Sequence, residues 1–168
     1  MRRPAYVVLL SLLLFTSQLV AQHEMQQVKK VDGAQTPMLI PDSTAYRLWF
    51  VVQGTNPNAS QDELLTQRGR FKKLGLSDDD SDRLSGTLTK FKVEYKQLID
   101  EYNSFVKNVY PAVTEADLRA FLTKRDALVD KFVAQAKQEL SPRGASRLNS
   151  IIQSEKAYMI LQMPDSTQ

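Results

Sequence analysis

The chain has no cysteine and a single histidine, His23, among its 168 residues. Without a thiol there is no disulfide, thiol nucleophile, cysteine-ligated metal or lipidated cysteine, so stability must come from a packed core. With one histidine near the start, a histidine-activated nucleophile or a histidine-ligated metal lacks the residues it needs. Glycine (6) and tryptophan (1) are scarce too. No glycine-rich phosphate loop and no serine in an elbow sequence occurs. Nor does one sign of charge dominate. Two of the 22 basic residues, Arg2 and Arg3, lie in an N-terminal leader and no acidic residue precedes Glu24, so 20 basic face 19 acidic residues beyond it. A net charge that small argues against a nucleic-acid partner. Long apolar runs are missing except near the start, where Ala5 to Phe15 follows two arginines and ends in Val20-Ala21. That is the layout of a cleaved signal peptide over 1–21, and it implies export to a periplasmic or extracellular space. The run is short for a membrane span, which needs about 20 apolar residues.

What is present is one dominant pattern. Leu84, Leu88, Phe91, Tyr95, Leu98, Tyr102, Phe105 and Val109 alternate at spacings of four and three, a single stripe along an amphipathic helix. Ser77 caps this helix, Asp78, Asp79 and Asp80 sit in its first turn where carboxylates meet the positive end of the helix dipole, and Pro111 stops it. The three aspartates are not a calcium loop. An EF-hand opening at Asp78 would need glycine where Arg83 stands and glutamate where Thr89 stands. Opposite charges four apart, Lys90 with Glu94 and Lys96 with Asp100, mark a solvated face.

The remaining segments read as shorter helices around this one. Residues 22–41 lack any period and are expected to be a flexible leader, with order beginning at Pro37 to Pro41. Asp42 is placed as the N-cap of a helix to about Gln53, with Ala45, Leu48, Trp49 and Val52 on one face and Tyr46 and Phe50 adding apolar surface to the other. Trp49 reads as a core plug. A second helix runs from Ser60, with Glu63 at capping-box spacing, to Gly75. After the long helix, Thr114 and Asp117 open another, whose apolar face comprises Leu118, Phe121, Leu122, Leu128, Val129, Phe132, Ala136 and Leu140. Lys124, Arg125 and Asp126 interrupt that face, which reads as rotation of the stripe rather than a polar pocket. The short connection makes the two long helices an antiparallel hairpin. Ser141-Pro142 starts a last helix carrying Ala145, Leu148, Ile151, Ile152, Met159 and Ile160, and 164–168 should fray. The expected fold is all-α: an up-and-down bundle of four to five helices over 42–163, built on the hairpin.

The entries Leu76-Ser77-Asp78 and Leu140-Ser141-Pro142 carry one resemblance. An exported, cysteine-free, helical chain with two Leu-Ser/Thr-x-x-Gln helix entries resembles the Spy/CpxP-type periplasmic chaperones. That family implies ATP-independent binding of unfolding proteins on a cradle of long helices. In this chain Asp80 and Gly144 stand where the glutamines belong, and the near-neutral charge differs from a basic cradle. The Ile40-Pro41-Asp42 to Phe50 segment and the Leu140 to Leu148 segment also resemble uncharacterised exported proteins of environmental bacteria. No enzyme, cofactor or metal is expected. The expected role is a holdase-like binder of unfolded envelope proteins, with Phe91, Tyr95, Tyr102, Phe105, Phe121 and Phe132 of the hairpin as the partner-binding residues. The alternative is a structural subunit of the envelope that pairs through the long-helix seam with another protein or a second copy. Peripheral contact with a membrane is compatible with either.

Overall fold

The computed structural model describes residues 28–164, so the expected signal peptide over 1–21, the first part of the expected leader and the end of the tail lie outside the described residues. Two compact units are present, a small one containing residues 28–31 and 161–164 and a larger helical one over Asp32–Ile160. In the small unit, β1 (Val28–Asp32) and β2 (Ile160–Pro164) form a two-stranded sheet. From sequence, one of these segments is expected to be flexible leader and the other the end of the last helix. Five-residue strands whose partner is more than a hundred residues away leave no local period to read.

The helical unit contains five α-helices: α1 (Asp42–Gln53), α2 (Gln61–Lys73), α3 (Asp78–Val109), α4 (Glu115–Glu139) and α5 (Pro142–Glu155). It is an all-α bundle with α3 and α4 as its longest members. The capping residues do what their chemistry suggests. Ser60 with Glu63 and Thr114 with Asp117 form reciprocal capping boxes, and Ser77 and Ser141 accept from the backbone N–H groups of Asp80 and Gly144. α2 ends at Gly75, whose φ of 86° lies in the left-handed region that glycine tolerates best.

Two ends differ from expectation. α1 has Pro41 at its cap position, which moves Asp42 into the first turn. There the Asp42 carboxylate accepts from Lys156 Nζ and from Gln153 Nε2, which together hold its pKa below the ordinary range. α5 ends at Glu155, before Met159 and Ile160. The next three residues, Lys156–Tyr158, form a 3-10 turn, and Gly33 N–H donates to the Met159 carbonyl at 2.8 Å. Gly33 has no side chain to spare here, because a Cβ would collide with the Lys156 carbonyl. The chain is thus turned out of the helix by a close backbone approach.

The two Leu-Ser entries meet. Asp80 is buried, and one of its carboxylate oxygens accepts from the Ser141 backbone N–H at 2.8 Å. The other accepts from Ser141 Oγ at 2.8 Å and from Ser77 Oγ at 2.9 Å. Burial pushes the Asp80 pKa up, but these hydrogen bonds and the Arg83 charge outweigh it and hold the group below its ordinary value. Gly144 makes room for this joint: a Cβ there would stand 2.6 Å from the Asp80 carboxyl carbon. The two positions that depart from the Leu-Ser/Thr-x-x-Gln pattern are therefore in contact with each other, and each explains the other.

A connected run of aromatic rings joins four helices. Phe71 of α2 stacks on Trp49 of α1 at 6.0 Å between centroids, and Trp49 lies 6.0 Å from Phe50. Phe50 meets Phe91 of α3 edge to face at 5.4 Å, and Phe91 meets Phe132 of α4 edge to face at 5.5 Å. Such pairs add to area burial when edge meets face. Leu84, Leu88, Val129, Ala136, Leu148 and Ile152 complete the buried layer. α1 buries Ala45, Tyr46, Trp49 and Phe50, while Val52, assigned above to its core face, is exposed. Tyr46 is held so deeply that burial, helped by the Asp42 charge, pushes its pKa up to about 12.

Candidate functional site

Burial along the hairpin stops partway. The last fully buried residue of α3 is Phe91, and the first of α4 is Val129. Lys92 and Tyr95 still meet Gly54 and Arg47, and past them the aromatic contacts of the two helices are with each other among the described residues. Residues 96–109 of α3 run on for roughly 21 Å at 1.5 Å per residue. The seam is chemically continuous, but the body it packs against is not.

This division sorts the six residues named from the sequence. Phe91 and Phe132 belong to the core, with exposures of 0% and 1%, and cannot touch a partner without unfolding. They lie at the height where α1 crosses the hairpin, and a stripe spaced for helix contact does not reveal how far along it the neighbours reach. Tyr95 is half-buried, stacked on Phe91 at 5.2 Å, and its hydroxyl accepts from Arg47 Nη1 at 3.4 Å. The other three come together. Tyr102 of α3 and Phe121 of α4 stack at 4.1 Å with planes 20° apart, and Phe105 lies 6.4 Å from Tyr102.

Around these three rings a groove of about 250 Å³ opens between the helices, lined by Leu98, Glu101, Tyr102, Phe105, Asp117, Ala120, Phe121 and Lys124. Phe105 is 37% exposed and Leu118, one turn before Phe121, is 42% exposed. Leu98, Ala120 and Lys124 were not named as site residues from the sequence. Leu98, four before Tyr102, and Lys124, three after Phe121, carry a spacing that would have found them, whereas Ala120, next to Phe121 in sequence, carries no such signal. The charged interruption in α4 acquires a meaning here. Arg125 and Asp126 pair with each other at 2.7 Å, and Lys124 borders the groove, so the break falls where the helix leaves the core.

The charges beside the groove are of two kinds. Asp117 is committed to the Thr114 cap, whose hydroxyl and backbone N–H depress its pKa. Glu101 accepts from Gln97 Nε2 at 3.0 Å. Lower on the hairpin, Glu94 reaches across to Lys131 at 2.6 Å instead of pairing with Lys90 along its own helix, while Lys96 and Asp100 pair as their spacing suggests. Both pairs are largely solvent-exposed and contribute little. What the groove offers is aromatic and aliphatic surface with a polar edge. No group of three or more Asp, Glu or His placed to hold a metal ion occurs among the described residues, and no described helix is long and apolar enough to cross a membrane.

No family model, no curated protein and no solved structure matches the chain.

Proposed function

We propose that the protein is a binding module that holds apolar segments of other protein chains in the groove at the far end of its hairpin, in the manner of a holdase. One observation carries this reading: the seam stays aromatic beyond the point where the core ends, leaving Leu98, Tyr102, Phe105 and Phe121 around an open groove. Apolar surface left exposed along a groove costs solubility unless something covers it. The two Leu-Ser helix entries and the leader expected to direct export support the same reading through the resemblance to helical periplasmic chaperones.

Magnitudes favour transient holding over permanent assembly. A groove of about 250 Å³ has room for two or three apolar side chains. Each contributes about 1.5–3 kcal/mol when fully buried. Association itself costs at least about 4 kcal/mol, so at most about 5 kcal/mol remains, a dissociation constant of about 0.2 mM or weaker. Binding of that strength releases its client readily. A permanent subunit contact needs a larger continuous interface, of about 1,000 Å² or more.

The test is suppression of light scattering by an unfolding client protein, without nucleotide, beside an inert helical protein of similar size. Suppression that grows as the protein is added in excess over the client, and that is lost in Phe105→Ser, is the expected result. No suppression removes the reading. If the protein were instead a concentration-dependent dimer that Phe105→Ser makes monomeric, the seam would be a subunit contact.

A further inference from the structure

We infer that a second site, independent of the hairpin groove, binds a phosphate group. It is a polar cleft of about 370 Å³ between the turn that ends α2 and the face of α5, lined by Gly75, Arg143, Ser146, Arg147 and Ser150. No carboxylate lines it.

Neither arginine has a carboxylate partner among the described residues; Arg70 has none either, but it shares its cleft with Asp62 and Glu63. Arg147 donates from Nε to the Leu74 carbonyl, which anchors the guanidinium against the turn and leaves its two terminal nitrogens without a partner among the described residues. Gly75 admits this arrangement, since a Cβ on it would stand 3.0 Å from Arg147 Nε and 3.6 Å from Nη2. Arg143 lies one helical turn before Arg147 and makes no ion pair or hydrogen bond among the described residues. By contrast, Arg68, Arg119 and Arg125 pair with Asp82, Glu115 and Asp126, and Arg83 donates to the Glu139 carbonyl. Like charges four apart on a helix repel each other, and an anion held between them converts that repulsion into attraction.

The ligand class follows from the donors. A carboxylate presents two oxygens in one plane and a single charge, whereas a phosphate presents three or more oxygens in a tetrahedral array and up to twice the charge, which suits two guanidinium forks and a hydroxyl together. Ser146 adds a hydroxyl donor. The Ser150 proton is already used on the Ser146 carbonyl at 3.0 Å, so Ser150 shapes the wall without donating. The phosphate can come from a small molecule or from the headgroup of an anionic lipid, and the cleft chemistry is the same for both.

The experiment is a titration of the full ¹⁵N-labelled chain with sodium phosphate, against sodium chloride at matched ionic strength. Saturable shifts at the Gly75 and Ser146 amides and the Arg147 Nε–H, present with phosphate and absent with chloride, are expected. Arg143→Gln should weaken binding by about tenfold, the loss of one charge-assisted contact. Arg147→Lys, which keeps the charge but loses the fork and the anchor, should weaken it as well. Flotation with phosphatidic acid vesicles but not phosphatidylcholine vesicles, lost in Arg143→Gln, would place the phosphate on a lipid. Phosphate shifts without vesicle binding would place it on a small molecule. Shifts that fail to saturate, that chloride reproduces, or that survive both substitutions overturn the inference. None of these outcomes depends on Phe105 or on client binding.

Discussion

The Asp80–Gly144 contact makes a test in which one substitution should change sign with its background. Asp80→Ala removes the acceptor for the Ser141 N–H and for the hydroxyls of Ser141 and Ser77. Hydrogen bonds to a charged group contribute about 1.5–3 kcal/mol each, but three that share one carboxylate do not add, and water can reach the serines. A loss of about 2–4 kcal/mol is expected, a large share of the roughly 5–15 kcal/mol that holds a domain together. Gly144→Ala alone drives a methyl group to 2.6 Å from the same carboxyl. The overpacking should cost about 1–3 kcal/mol, more than the gain of about 1 kcal/mol from replacing glycine in a helix. In the Asp80→Ala background the obstruction is gone and the helix gain remains, so Gly144→Ala should become neutral or stabilising. Urea unfolding followed through Trp49, the only tryptophan and a buried one, gives all four free energies. A coupling of about 2 kcal/mol is expected between residues in contact. Additivity within about 0.5 kcal/mol would show that the two helix entries do not share this joint.

Phe91→Ala, at the junction of three aromatic contacts, should cost about 3–5 kcal/mol, whereas Phe105→Ala at the groove should cost about 1 kcal/mol or less, measured as urea midpoints on the same protein. Acid should destabilise the fold. Asp42, Asp80 and Glu139 all have lowered pKa values, so their contribution is complete above their ordinary values of 3.8 and 4.5 and is lost as pH falls through the lower folded ones. Unfolding free energies should therefore be flat from pH 7 to about 5 and fall below about 4, and Asp80→Asn should shrink that fall. Gly33→Ala should destabilise the Lys156–Tyr158 turn, because its methyl group meets a backbone carbonyl that cannot rotate aside; hydrogen exchange at the Met159 and Gly33 amides would report it.

Local chemistry carried most of what was legible in the sequence. The caps at Ser60, Ser77, Thr114 and Ser141 and the turn at Gly75 act within one helical turn of themselves, and all appear as their residue types require. The hairpin was legible for the same reason: a stripe and a short connection are local facts. Long-range placement was not. A stripe spaced four and three looks the same at Phe91, where α1 and α4 enclose it, and at Phe105, where they do not. Two of the six site residues were lost to that ambiguity. The Asp80 joint was hidden too, since a first-turn aspartate already has a local explanation in the helix dipole. Its contact with Ser141, 61 residues on, follows only from the way α5 is set against α3.

The claim that matters most is that client chains are held at the far end of the hairpin, and photo-crosslinking tests it directly. A benzophenone amino acid would replace Phe105 in the groove or, as a control, Leu65, an apolar residue on α2 that is 56% exposed. Each variant would be irradiated with an unfolding client. Crosslinks at position 105 several-fold above those at position 65, competed away by a soluble apolar peptide, are the expected result. Equal yields at the two positions would mean that the client meets apolar surface wherever it is found, and that the groove has no special part in holding it.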